Sequence, residues 1–161
     1  MKVVEAFCAP TWYKVKCIIT LSPVAANASA APKDFLRAAL VATMEEVKIW
    51  TEKSVAMKND SFVRADNDGL DYCKEDLQMG LEDLQSALAM LHDDELHAVY
   101  GEVYKFQDWL VGNLVYQTDS CFEFIQNPDL KARLQDGLRN AIQLTANSLA
   151  LLTSSPASFP P

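Results

Sequence analysis

The fold is decided by residues 70–91, which read LDYCKEDLQMGLEDLQSALAML. Six leucines recur in this stretch at steps of three, four and seven residues, which places them on one side of an α-helix. Such a seam packs against neighbouring helices, as in a helical bundle. The opposite side of the helix is strongly acidic. The leucines are Leu70, Leu77, Leu81, Leu84, Leu88 and Leu91, and the acids are Asp71, Glu75, Asp76, Glu82 and Asp83.

Three further segments carry an apolar stripe of helical period. The first begins near Pro32, a residue suited to the first helical turn, and ends around Met57. Another covers about 103–124, and the last follows the turn at 127–129 and continues to Leu152. The predicted core residues are Leu36, Leu40, Met44, Val47 and Trp50, then Phe106, Leu110, Leu114 and Phe124, then Leu130, Leu134, Leu138, Ala141, Ile142, Leu149 and Leu152. With residues 70–91 these segments predict an all-α, up-and-down four-helix bundle.

The residues ahead of the bundle predict a helical hairpin. Lys2 to Leu21 is interpreted as two short helices bent at Pro10, with Thr11 as the N-cap of the second. Ser22 to Ala31, rich in small residues, predicts a connector. The sequence Asp66-Asn67-Asp68-Gly69 predicts a turn before the acidic helix.

The length of 161 residues fits one domain. We expect that domain to cover residues 1–152, with the hairpin at 2–22 and the bundle at 32–152. The Ser/Pro-rich residues 153–161 predict a disordered tail or a linker.

Four cysteines, Cys8, Cys17, Cys73 and Cys121, allow three disulfide pairings. We favour Cys8 with Cys17, because their short separation suits a hairpin, and Cys73 with Cys121. In an up-and-down bundle the second and third helices are antiparallel neighbours, so Cys73 and Cys121 would lie at the same level. A zinc site is the competing interpretation, but the sequence has neither C-x-x-C spacing nor histidines near the cysteines.

Composition argues against several function classes. The formal net charge of -8 and the pI near 4.7 argue against nucleic-acid binding and favour a basic partner, or simply solubility. No apolar run approaches the length of about 20 residues that a membrane helix needs. No nucleophile and base pair and no Gly-rich phosphate loop is visible, so we expect neither catalysis, nor a small-molecule substrate, nor a cofactor. His92 and His97 lie in a polar connector rather than at the spacing of a bundle metal site, so no metal site is predicted.

The cysteines and two Asn-x-Ser triplets point to a secretory route. Met1 is followed by residues 2–5 with no long apolar region, which differs from a secretory signal. Bridged cysteines need an oxidising compartment, so we expect the natural precursor to carry a signal or a longer leader. The triplets make Asn27 and Asn59 candidate glycosylation sites in predicted loops.

One surface remains as a candidate for recognition. The acidic face of residues 70–91 and the group Thr118, Asp119, Ser120 and Glu123 lie on either side of the Cys73–Cys121 pair. A rigid helix pair that presents carboxylates and small hydroxyl groups suits a basic protein partner. The same residues would also suit the solvated side of a bundle.

Four segments resemble the plant invertase and pectin methylesterase inhibitors, whose domain also occurs as the pro region of many pectin methylesterases. The resemblance covers about Val3 to Leu152 and keeps the order and spacing of the segments. The segments run from Cys8 to Pro23, from Gly69 to Leu84, from Phe106 to Phe124, and from Leu144 to Leu151. Lys14 stands where a proline is usual after the tyrosine.

The resemblance implies a four-helix bundle with an N-terminal hairpin, the two disulfides favoured above, and secretion to the cell wall. It further implies inhibition without catalysis, through a one-to-one complex that covers the active-site cleft of the target enzyme. We expect the free protein to be a monomer.

By position, the resemblance also implies the residues of the partner-binding surface. Glu75 and Glu82 match two acids of the second bundle helix, and Met79 stands where a third acid is usual. Ser120 occupies a position usually given to threonine, and Glu123 that of an acid. Pectin methylesterase is therefore the expected partner.

Two alternatives follow from the same resemblance. Invertase inhibitors of the family use a Pro-Lys-Phe element, and here Tyr104-Lys105-Phe106 lacks the proline, whereas the segment from Gln107 to Leu110 resembles the methylesterase side. Acid invertase is therefore the second choice of target. The tail from Ser154 to Pro161 is also compatible with the linker of a pro region that acts on its own enzyme.

Overall fold

The computed structural model describes residues 2–58, 64–93, 103–115 and 119–154. All regular elements in these ranges are helices. They are α1 (Lys2–Phe7), α2 (Lys14–Ala25), α3 (Pro32–Met57), α4 (Arg64–Asp93), α5 (Val103–Val115), α6 (Cys121–Glu123) and α7 (Pro128–Thr153). Asn59, His97, Thr118 and the tail from Ser155 lie outside the described residues, as do the side chains of His92 and Phe106.

Four long helices form the predicted up-and-down bundle. Helix α3 packs against α4 and α7, and α5 packs against the same two helices from the other side. Each long helix therefore has two neighbours, and the core lies between all four. The predicted fold class is confirmed, and α1 and α2 form the expected hairpin beside α3 and α7.

Helix α4 carries the leucine seam as predicted. Five of its six leucines are buried and Leu88 is partly buried against the core. The predicted turn at 66–69 is wrong, because α4 begins at Arg64 and runs through these residues. They serve long-range contacts instead: Gly69 faces Ile125, where an added Cβ would lie 2.9 Å from the Ile125 side chain, and Asp66 bonds to the chain beyond Ile125.

The predicted bounds and core face of α3 are confirmed. The helix begins at Pro32 and ends at Met57, and the Asp34 carboxylate accepts a hydrogen bond from the Ala31 amide to cap the first turn. Leu36, Leu40 and Val47 are buried, and Met44 and Trp50 are partly buried. The Trp50 indole lies over Gly137 of α7, at a place where any Cβ would come within 1.9 Å of the ring.

Helix α7 also follows the sequence prediction. Asn127 caps it by accepting hydrogen bonds from the amides of Asp129 and Leu130, and Pro128 occupies the first helical position. The predicted face of α7 is buried or packs against the core along its length. The third stripe is described only in part, and there Leu110 is buried.

Two predictions for the hairpin are wrong in detail. Thr11 does not cap α2. Its hydroxyl donates instead to the Cys8 carbonyl at 2.7 Å, in the segment between α1 and α2. Helix α2 continues through Pro23 to Ala25, so the predicted connector begins later. Pro23 lies in the last turn, where a missing amide donor removes a single intrahelical bond. Asn27 follows as an exposed turn residue whose side-chain oxygen accepts from Ser29.

The predicted burial of Phe124 is also wrong. The chain bends after the short helix α6, which turns Phe122 and Ile125 into the core and leaves Phe124 half-exposed. A straight helix through Phe124 would have placed it on the apolar stripe. Because of the bend, Phe122 is buried in this segment in place of Phe124.

The hairpin is fixed to the bundle by a disulfide and by one buried asparagine. Cys8 and Cys17 are bridged, which confirms the first predicted pairing. The Asn147 side chain of α7 accepts from the Tyr13 amide and donates to the Tyr13 carbonyl, both at 3.0 Å. Phe7 stacks on Phe35 of α3 with ring centroids 4.3 Å apart. The hairpin therefore has a defined position on α3 and α7.

We expect Asn147→Ala to lower the free energy of unfolding by about 2 kcal/mol, because it leaves the Tyr13 amide and carbonyl without their partner. Urea unfolding followed by circular dichroism measures this value. Asn140→Ala is the matched control, since Asn140 also lies on α7 and accepts a hydrogen bond from the hairpin residue Lys16 but is more exposed. An equal loss in both variants would contradict the special role of Asn147.

Candidate functional site

An exposed stripe follows the outer side of α4. Tyr72, Glu75, Met79 and Glu82 succeed one another at steps of three, four and three residues, so their side chains share one helix face. All four are exposed, with Met79 at 41%. The stripe includes three of the five residues predicted for the partner surface. At 1.5 Å per residue, Glu75 and Glu82 are separated by about 10 Å along the helix axis.

The segment 119–124 lies beside the first half of α4 and supplies the other two predicted residues. Asp119 and Ser120 form a π-helical turn, a local widening of the helix that often occurs at functional sites. The Ser120 hydroxyl lies within reach of a hydrogen bond to the Asp76 carboxylate of α4, while Glu123 is exposed. The structure therefore brings Ser120 next to the acidic stripe by a direct contact between the two elements.

An aromatic pair extends this surface, and the sequence interpretation missed it. Tyr72 and Phe124 pack with ring centroids 4.6 Å apart, and each is nearly half-exposed. The sequence signal was the position of Tyr72 on the acidic face, where an aromatic residue has no core to fill. Phe124 could not have been assigned to the surface without the bend after α6.

Two acids on the side of this stripe are less accessible than their neighbours. Burial raises the pKa of Asp76, the hydrogen bond from Ser120 lowers it, and nearby Glu75 raises it. Burial and then Glu82 raise the pKa of Asp83. Asp76 had been predicted only as part of the acidic face. Its contact with Ser120 makes it the link between α4 and the segment 119–124.

The two remaining cysteines lie buried behind the same surface. The Cys73 thiol donates to the Cys121 carbonyl at 2.5 Å, and the Cys121 thiol donates to the Cys73 carbonyl at 3.5 Å. The hydrogen bond with Cys73 and then burial raise the pKa of the Cys121 thiol. Cys73 and Cys121 are free thiols in this structure, and they are adjacent, as the predicted bridge requires. The second bridge stays a prediction.

The described parts of the chain hold no cluster of three histidine, cysteine or acidic side chains with the geometry of a metal site. His97 and the side chain of His92, which the sequence analysis considered as possible ligands, lie outside the described residues. No helix within the described ranges has both the length and the apolar character to cross a membrane.

These features define a four-helix-bundle domain with a disulfide-linked hairpin and an acidic surface on α4 and the segment 119–124. The chain belongs to the plant invertase/pectin methylesterase inhibitor family, whose model matches residues 2–151. The resemblance found in the sequence is thereby confirmed.

The relatives are larger proteins. The chain is 30% identical over 152 residues to pectinesterase 4 of Arabidopsis thaliana, a match that covers 92% of this chain and 25% of that protein. It is 28% identical over 160 residues to a pectinesterase/pectinesterase inhibitor of Brassica campestris, covering 92% of this chain and 26% of that protein. The chain thus spans about a quarter of the length of these curated relatives.

We expect Asp83→Asn to raise the free energy of unfolding slightly at pH 7, within about 0.5 kcal/mol, and to leave it unchanged near pH 3. In the folded chain the pKa of Asp83 lies above its ordinary 3.8. The stability that this shift contributes is therefore present below pH 3.8 and is lost as the pH rises through the raised pKa. Thermal unfolding at both pH values measures the difference. Asp108→Asn, at an exposed acid of α5, controls for the loss of one negative charge, and the same pH trend there would contradict the local cause.

We expect the purified, oxidised chain to contain two bridges. Alkylation under denaturing conditions followed by mass measurement should label no cysteine before reduction and four after it. Closing the 48-residue separation between Cys73 and Cys121 should stabilise the fold by about 4 kcal/mol in the loop-entropy model. Two labelled thiols before reduction would contradict the second bridge.

Proposed function

We propose that this domain is a proteinaceous inhibitor of pectin methylesterase. It binds the enzyme one-to-one and covers the active-site cleft. Two results support the proposal: membership of a family described by invertase and pectin methylesterase inhibition, and relatives with pectinesterase and pectinesterase inhibitor in their names. The observation that carries it is the packing of the segment 119–124 on α4 beside the acidic stripe, where the rings of Tyr72 and Phe124 lie 4.6 Å apart.

The proposed contact residues are Glu75, Met79, Glu82, Ser120 and Glu123. Glu75, Met79 and Glu82 stand on α4, which packs against both α3 and α5, so little backbone freedom is lost on binding. Exposed acids on one face attract a basic partner and speed its encounter. Tyr72 and Phe124 add an apolar area beside these acids, which suits the apolar centre of a protein interface.

The domain itself is proposed to act without catalysis and without a cofactor, as one unit over residues 1–152. We further propose that the free protein is a monomer and that it acts after secretion, in the cell wall. Inhibition then depends only on how well its surface covers the enzyme. No bond is made or broken by the inhibitor.

A second candidate function is that of a pro region. The chain matches only about a quarter of each pectinesterase relative, so the same domain occurs there as part of a longer protein. In that arrangement it would act on its own enzyme, as inhibitor or folding assistant. The full-length transcript decides between the two, since it shows either an enzyme downstream or a stop codon.

The main test mixes the purified chain with plant pectin methylesterase and, separately, with acid invertase, at mildly acidic and neutral pH. Loss of methylesterase activity together with one-to-one co-elution is the expected result. Unchanged methylesterase activity and no co-elution would overturn the proposal. Inhibition of the invertase alone would move the target to that enzyme.

We expect Glu75→Lys and Glu123→Lys each to weaken inhibition at least about tenfold, because each places a positive charge against a basic partner. Met79→Asp should strengthen it about threefold by adding a carboxylate between Glu75 and Glu82. Inhibition constants measure these effects, and melting temperatures should change little, because the three side chains are exposed.

Glu5→Lys is the matched control for these variants. Glu5 is exposed on α1, in the hairpin, so the substitution makes the same charge change away from the α4 stripe. Its inhibition constant should stay near that of the parent. Equal weakening by Glu5→Lys would show that net charge, rather than this surface, governs binding. A large loss of melting temperature in Glu75→Lys would make Glu75 a structural residue.

A further inference from the structure

A second exposed surface lies on the hairpin, away from the acidic stripe. Trp12 is 71% exposed, Val15 73% and Ile19 69%. Val15 and Ile19 stand one turn apart on the outer face of α2, and Trp12 lies just before that helix. Apolar side chains this exposed contribute little to the stability of the fold, so we expect the cluster to have another role.

These residues form one wall of a groove between α2 and α7. The groove has a volume of about 510 Å³. Lys16 of α2 also lines it, and Gln143 lines it from α7. That volume lies within the range of sites for small molecules and short polymer segments. A stable protein interface needs about 800 Å² from each partner, which is a much broader surface than such a groove.

The groove is basic on a molecule that is otherwise acidic. Residues 1–31 contain three lysines and one glutamate, whereas residues 32–161 contain eleven basic and 21 acidic residues. Among the described residues lining the groove, two are lysines, Lys14 and Lys16, and none is acidic. An anionic ligand is therefore attracted here and repelled by the α4 stripe.

The groove is also held in a fixed shape. The Cys8–Cys17 bridge closes the hairpin, and Asn147 binds both the amide and the carbonyl of Tyr13. The Lys16 ammonium group donates to Asn140 of α7, which places it along the groove. A ligand that binds here therefore finds the hairpin backbone already in position, so little backbone entropy is lost.

From these observations we propose that the groove between α2 and α7 binds a segment of an anionic polysaccharide, a chain of uronic acid sugars. Each sugar ring of such a chain has an apolar C–H face, which stacks on an aromatic ring such as Trp12, and one carboxylate, which pairs with a lysine ammonium group. Gln143 supplies donors and an acceptor for sugar hydroxyl groups. The proposal rests on the hairpin and on Gln143 of α7, and it is independent of the proposed enzyme inhibition.

The test uses the whole 161-residue chain and oligogalacturonates of defined length, with tryptophan emission and calorimetry as readouts. Binding should be saturable, should weaken as salt is added, and should change the tryptophan emission. Trp12→Ala should weaken binding about tenfold and remove most of the emission change. Lys14→Gln combined with Lys16→Gln should weaken binding about tenfold and flatten its salt dependence.

Matched controls separate the groove from general effects. Tyr104→Ala removes an exposed aromatic ring on α5, and Lys48→Gln with Lys131→Gln removes two positive charges from α3 and α7. Both should leave binding unchanged. Tyr104 and Lys48 are exposed and Lys131 is partly buried, and circular dichroism checks that the variants fold.

Three outcomes would overturn the proposal. Equal binding of dextran would remove the role of the carboxylates. If Trp12→Ala leaves binding unaltered, the sugar does not stack on Trp12 and the lysine charges alone account for binding. No binding at ~1 mM oligosaccharide, with a concentration-dependent dimer that Trp12→Ala abolishes, would make the groove a contact between two copies of the chain.

Discussion

The close approach of α4 to the segment 119–127 governs the arrangement of the whole surface. Asp66, only 1% exposed, accepts hydrogen bonds from the amides of Gln126 at 2.8 Å and Asn127 at 3.0 Å. Gly69 admits Ile125 into the core at the same level. These contacts join the first turns of α4 to the start of α7. Ser120 and Glu123 owe their positions beside α4 to this junction.

The helical period of the leucines predicts the four-helix bundle, because this spacing depends only on which side of each helix faces the core. The bounds of α3 and the seam of α4 follow from that local rule. The predicted turn at 66–69 was wrong because Asp and Gly are turn residues by local preference, yet here a distant segment uses both. Thr11 was misplaced because its hydroxyl bonds back to the Cys8 carbonyl, three residues before it, instead of to an amide of α2. Phe124 was misplaced because of a bend that no local pattern marks.

The candidate surface was only partly predictable from the sequence. The acids of α4 are visible as one face of a helix, and the resemblance to a family added Ser120 and Glu123 to them. The contact between Asp76 and Ser120 and the packing of Tyr72 on Phe124 required the junction to be known. The described chain thus has two faces of opposite charge, an acidic one on α4 and a basic groove on the hairpin, and each suits a different kind of ligand.

The contact between Trp50 and Gly137 couples two positions that are far apart in sequence. With the indole over residue 137, no side chain can stand at that position unless the ring moves. A relative with a larger residue at position 137 would therefore need a smaller one at position 50. If the residues at positions 50 and 137 vary together in the family, α3 and α7 keep the same separation in its members. A relative with large residues at both positions would have these two helices further apart.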